Sequence, residues 1–244
     1  MLDSRQLRRG LRRVIPRPVR QRLYDWSPSR RRRWRQTPGL ESLAGGDDAA
    51  VLTFDDGPDP EGTPRVLEEL ARAEVAATFF VLGRHAEENP ELIREMLAQG
   101  HEVGLHGMEH RRHDRLSAAA AEGDLRAGSE AIAAVTGRPP EWYRPPFGAS
   151  SPALAAACEK LGLRLVYWSA WGQDWEESSP GRIAGLVERD LSPGAIVLLH
   201  DSARYAQRAS AAATAEAIPL IVGSARERGL PLVSLGASAS NASG

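Results

Sequence analysis

The chain has 244 residues, 42% hydrophobic and 26% charged, a globular balance that excludes a fibrous or wholly disordered chain. No run approaches the roughly 18 consecutive apolar residues of a membrane span, and a lone cysteine, Cys158, excludes an internal disulfide and a thiolate zinc site. The formal charge of −1 conceals an asymmetry: residues 1–36 carry thirteen Arg against Asp3 and Asp25, while the other 208 carry 18 basic and 30 acidic groups. The expected organisation is a basic arm (1–47), an acidic body (48–236) and a short flexible tail (237–244) of small polar residues.

The arm starts like a secretory n-region, but Arg recurs through Arg35 and no apolar h-region follows; the Arg8-Arg9 pair lacks one too. With no export signal legible, the cytoplasm or the membrane periphery is the expected location, and the cell envelope stays open. Segment 4–24 interleaves Leu, Val and Ile with Arg and is broken at Pro16 and Pro18. It reads as a solvated or body-packed arm, or as an interfacial helix on an anionic membrane. Contact with nucleic acid through Trp26 and Trp34 beside Arg30–Arg33 is the weakest reading.

From about residue 48, short apolar runs alternate with helical segments. Strands are expected at 49–54, 76–82, 102–105, 141–143, 163–168, 195–199 and 230–235, the first, second, fifth and sixth being nearly continuous apolar runs suited to burial on both faces. Helices are expected from Thr63-Pro64, from Asn89-Pro90 to Gly100, from Ser117 to Gly137 and from Ser151-Pro152 to Gly162. Strands alternating with helices indicate an α/β fold with about seven parallel strands in a closed or partly closed barrel.

The polar residues that stand out follow the strands: Asp55-Asp56, His106, Arg144, Asp174 and His200-Asp201. In a parallel barrel the C-terminal strand ends share the face on which active sites are built. His106 and His110, spaced i, i+4, can aim two imidazoles at one ion, and with a carboxylate they form a His₂Asp set that leaves a position open for water. Of the paired aspartates, one can neutralise the ion while the other stays free to take a proton; a plain Asp-Gly-Pro turn is compatible with both. His85, His101 and His113 are expected to be solvated or local hydrogen-bond partners.

TFDDGP (53–58), H-x-x-x-H (106–110), RPPFG (144–148), Asp174-Trp175 and LLHD (198–201), with ATFFVLG (77–83), resemble in order the motifs of the NodB-homology polysaccharide deacetylases, carbohydrate esterase family 4. The resemblance runs from about Val51 to Leu235. It implies a distorted, incomplete (β/α) barrel and a metal-dependent hydrolase that removes N-acetyl groups from an N-acetylated sugar. By position, Asp56, His106 and His110 would hold one divalent ion, zinc first, with cobalt or another divalent metal as alternatives. Asp55 would be the general base oriented by Arg144, and His200 the general acid tethered by Asp174. Phe147 would offer a backbone N–H to the oxyanion, while Trp175 and Leu198 would wall the groove and the acetyl pocket. Hydrolysis of a non-sugar amide, imide or O-acetyl ester is the alternative chemistry, and a non-catalytic carbohydrate-binding or envelope protein the alternative class. Three positions depart from the family pattern. Gly107 stands for Ser or Thr, which would cost a loop hydrogen bond; Trp171 stands for Asp, which would change the groove wall; Phe147 stands for Tyr, which a backbone donor tolerates.

Overall fold

The computed structural model describes residues 35–43 and 48–241. Segment 4–24, Trp26, Trp34 and Arg30–Arg33, and with them the lipid and nucleic-acid readings of the arm, lie outside the described residues. The strands are β1 (Ala50–Asp55), β2 (Thr78–Val81), β3 (Glu102–Leu105), β4 (Trp142–Tyr143), β5 (Arg164–Leu165), β6 (Ala170–Trp171), β7 (Ile196–His200) and β8 (Leu232–Val233). They form one parallel sheet in the order β5-β4-β3-β2-β1-β7-β6, with β8 paired to the first two residues of β1. This is the expected incomplete (β/α) barrel. The helices are α1 (Thr63–Arg72), α2 (Gly83–Glu88), α3 (Pro90–Ala98), α4 (Ala118–Thr136), α5 (Pro152–Lys160), α6 (Pro180–Asp190), α7 (Ala212–Glu227) and α8 (Leu235–Asn241). No helix among the described residues is long and apolar enough to cross a membrane.

Side chains alternate along a strand, and here the alternation sorts two cores. Leu52 and Phe54, Phe79 and Val81, Val103 and Leu105, Tyr143, Val197 and Leu199 face the helical layer. Val51, Phe80, Trp142, Trp171, Ile196 and Leu198 face the barrel interior. Continuing the interior register to the C-terminal strand ends selects Asp55, His106, Arg144 and His200. Asp55 lies level with His200 across the β1–β7 ladder, and Leu105 pairs with Tyr143, which sets His106 beside Arg144. The ladder itself therefore gathers the polar groups at one mouth.

Among the described residues no ladder joins β5 to β6, and residues 35–43 fill that gap. Leu40 bridges Val166 and Ser42 bridges Ala195; Leu40 N–H donates to Leu165 O, Leu40 O accepts from Tyr167 N–H, and Leu43 N–H donates to Gly194 O. Arg35 lies over the Tyr167 and Trp168 rings, 4.6 Å from each centroid, and donates to Trp168 O. The C-terminal part of the segment read as an arm is thus built into the body.

Other differences have local causes. The run 163–168 supplies only β5, after which the chain turns and β6 forms separately. Thr63 does not cap α1: it is the first helical residue, its hydroxyl engaged with Asp59 N–H and Asp201. The run 230–235 yields β8 alone, because Thr78 and Glu102 accept the Leu235 and Gly236 N–H groups and so start α8, a helix where a flexible tail was expected.

Candidate active site

Asp56, His106 and His110 bring three ligand atoms within 4.8 Å of one another. Asp56 Oδ1 lies 3.4 Å from His106 Nε2 and 3.3 Å from His110 Nε2, and is buried without a hydrogen-bond partner among the described residues. A buried carboxylate oxygen left unpaired between two imidazole nitrogens fits a cation. His106 Nδ1 donates to Arg144 O at 2.7 Å, which leaves Nε2 as the lone-pair atom. His110 is packed face to face on Tyr205 (centroids 4.2 Å) and edge-on to Phe147 (4.6 Å). Burial pushes His110 down to about 4, so it is a neutral donor at pH 7. Burial also opposes ionisation of Asp56, but His106, His200 and His110 around it hold it well below the ordinary carboxylate range.

Asp55 comes within 4.0 Å of His106 but is committed elsewhere: its Oδ1 accepts from Arg144 Nη1 at 2.8 Å. Arg144 is wholly buried, also donating to Thr53 Oγ1 and Tyr167 O, with Phe80 beneath its guanidinium at 4.2 Å. Thr53 in turn donates to Val197 O on β7. Opposite, His200 Nδ1 donates to Asp174 Oδ1 at 2.8 Å and its backbone N–H to Oδ2 at 2.9 Å. Burial disfavours the imidazolium, but the charge and hydrogen bond of Asp174, then Asp56 and Asp55, raise His200 to about 9. Asp174 is buried too, yet His200 and Arg208 bring it down to about 2.

Trp175 stands edge-on to His200 with centroids 5.8 Å apart and against Trp171 at 5.4 Å; Leu198 is buried in the same cluster. Phe147 is 51% exposed in a left-handed conformation with φ 63°, at the rim beside His110. All ten expected site residues therefore meet at one mouth.

Several residues of the site escaped sequence reasoning. His85 is buried and its Nδ1 donates to Asp56 O at 2.9 Å, steadying the Asp56 turn; Tyr205 stacks on His110 from the loop after β7. His113 is wholly buried and its partners, Asp124 and Tyr143, are distant in sequence. None has a spacing signal that links it to the residues it touches: His85 sits on α2, while His113 and Tyr205 lie in the segments after β3 and β7. His101 is also buried, accepting from Ala77 N–H, away from the mouth.

The polysaccharide deacetylase family profile matches residues 43–166. The chain belongs to the polysaccharide deacetylase family. It is 41% identical over 157 residues to the chitooligosaccharide deacetylase of Bradyrhizobium sp. (strain ANU 289), covering 64% of this chain and 72% of that one. The crystal structure of the Bc1960 peptidoglycan N-acetylglucosamine deacetylase is 29% identical and superposes with a TM-score of 0.76, over 81% of this chain and 91% of that one. A mutant of the carbohydrate esterase family 4 pseudoenzyme BA3943 with restored enzymatic activity matches at 27% identity and TM-score 0.74, over 82% of this chain and 70% of that one. The polysaccharide deacetylase is thus a metal-dependent hydrolase of sugar N-acetyl groups, with Asp56, His106 and His110 able to hold the ion. Because its fold is shared with a pseudoenzyme, the side chains rather than the barrel carry the catalytic argument.

Proposed function

We propose that this polysaccharide deacetylase removes acetyl groups from N-acetylglucosamine units of an oligomeric sugar, using a zinc ion held by Asp56, His106 and His110, with Asp55 as general base and His200 as general acid. One observation carries the reading: Asp55 and His200 are register partners on adjacent strands, beside the three-ligand cluster, and each is locked by its own buried counter-charge, Arg144 or Asp174.

When bound, the ion supplies Lewis acidity, polarising the acetyl carbonyl and acidifying the attacking water. Asp55, oriented by Arg144 and not needed as a ligand, takes the proton from that water as its oxygen adds to the carbonyl carbon. The backbone N–H of Phe147 gives the developing oxyanion a further donor, a type of contact worth about 10²–10³ in rate. His200, with Nδ1 committed to Asp174, delivers the Nε2 proton to the amide nitrogen; the C–N bond breaks, releasing acetate and a free amine. Trp175 and Leu198 close the apolar side around the acetyl methyl. Similarity to chitooligosaccharide and peptidoglycan N-acetylglucosamine deacetylases supports the choice of sugar.

The test is acetate release from N-acetylglucosamine oligomers by metal-stripped protein, with and without Zn²⁺ or Co²⁺. Metal-dependent acetate is expected. Bound metal without acetate would redirect the search to other amides, imides or esters.

A further inference from the structure

The pair His200–Asp174 does not stand alone. Asp174 Oδ2 also accepts from Thr214 Oγ1 at 2.7 Å and lies 3.3 Å from Arg208 Nη1. Arg208 Nη2 donates to His200 O at 2.9 Å and Ser202 O at 3.1 Å, and Nη1 meets the Thr214 hydroxyl. One buried guanidinium therefore ties the carboxylate, the backbone of the histidine and the loop after it. Arg208 arrives from the loop after β7 and Thr214 from the first turn of α7; neither falls in the five motifs.

The surroundings explain the need. Asp174 borders a cavity of about 240 Å³ whose lining includes Glu176, Glu177 and Glu216, with Arg208 its one cation among the described residues. An untethered carboxylate could swing toward that space and leave His200 Nδ1–H without its acceptor. Arg208 Nε is buried with no partner among the described residues, so every bond this guanidinium makes there runs from its Nη atoms to Asp174, Thr214 and the backbone of His200 and Ser202. His200 also faces Asp55 and Asp56 at the end of β1 and His110 on the metal loop, none of which contacts Asp174 to hold it.

We propose that Arg208 and Thr214 are positioning residues for the general acid: they hold Asp174 so that the His200 ring keeps Nδ1 committed and Nε2 aimed at the leaving nitrogen. The inference rests on the reading of His200 as general acid.

The experiment compares an N-acetylglucosamine tetramer, whose amine must be protonated to leave, with 4-nitrophenyl acetate, whose phenolate leaves without a proton. In the zinc-loaded protein, Thr214→Val should lower kcat on the tetramer about tenfold and Arg208→Met about a hundredfold, the range for losing hydrogen bonds to a charged group. KM and zinc affinity should stay within about twofold, ester turnover within about threefold, and Thr214→Ser near wild type. Equal losses on both substrates, or unchanged tetramer turnover in Thr214→Val, would overturn the proposal. Should His200→Asn itself reduce both substrates alike, the general-acid reading falls instead.

Discussion

His113 Nε2 lies 2.7 Å from Asp124 Oδ1, filling the space that a side chain at position 107 would need. The same Asp124 oxygen accepts from Met108 N–H at 2.9 Å, pinning the loop between the ligands His106 and His110, while Tyr143 OH bonds the other ring nitrogen of His113, Nδ1, at 2.9 Å. A Cβ on Gly107 would stand 2.6 Å from His113 Cε1, on a backbone with φ +107°. With Gly107 in place of Ser or Thr, the loop is held by Asp124, which bonds both Met108 N–H and His113.

Asp124→Ala should therefore weaken zinc binding about tenfold, the low end for partners that orient ligand-bearing groups, read by chelator competition. Gly107→Ser should lower the unfolding free energy by on the order of 1–3 kcal/mol through backbone strain, with overpacking against His113 added. Zinc affinity unchanged in Asp124→Ala would mean that the loop is held without this contact.

The aspartate pair separates by chemistry. Asp55→Asn should abolish acetate release while metal content stays at wild-type level, because Asp55 is bound to Arg144 rather than to the ligand set. His106→Ala should lose both metal and activity. Retention of most activity by Asp55→Asn would show that another group removes the proton from water.

Much of this mouth was legible because strand ends carry local signals. Asp55, His106, Arg144 and His200 each follow an apolar run directly, so the parallel-barrel rule alone put them together, and the resemblance divided their roles. What stayed hidden depends on loops and on breaks in pattern. The β6 pair is two residues long and could not be told from the preceding apolar run. Helix α6 carries a start signal of its own in Ser179-Pro180, Ser179 capping Arg182 N–H. Helix α7 contains Pro219, so its periodicity reads as interrupted. Arg208, Thr214 and Tyr205 reach the site from the segment after β7, where no spacing links them to the residues they touch.

The pH profile should report His200. Its pKa is raised to about 9 chiefly by Asp174 against the effect of burial, so the proton needed by the leaving amine is present below that value and lost above it. A bound divalent cation offsets the contributions of Asp56 and Asp55. The alkaline limb of kcat/KM for the zinc-loaded protein should therefore fall below 9 yet above the free-imidazole value of about 6.5. Asp174→Asn should shift the limb downward and reduce turnover together. A limb that does not move in Asp174→Asn would assign it to a different group.

Asp201 gives a stability signal of opposite origin. It is wholly buried behind the Asp56 turn, its carboxylate in the space a Cβ on Gly57 would occupy, and Thr63 donates to its Oδ2 at 2.5 Å. Burial first, then the charges of Asp56 and Asp59, push it up to about 7 against the Thr63 hydrogen bond. An unfolded aspartate titrates near about 3.9, so between those values the folded state holds a proton that the unfolded state has released. Its contribution to stability is present at low pH and is lost as pH rises through about 7. Chemical denaturation of the metal-free protein from pH 4 to 8 should show Asp201→Asn gaining steadily on wild type across that window, because the amide cannot ionise. A stability difference that stays constant with pH would mean that Asp201 is ionised in the folded protein throughout, with its Oδ1, unpartnered among the described residues, stabilised by a group other than a proton.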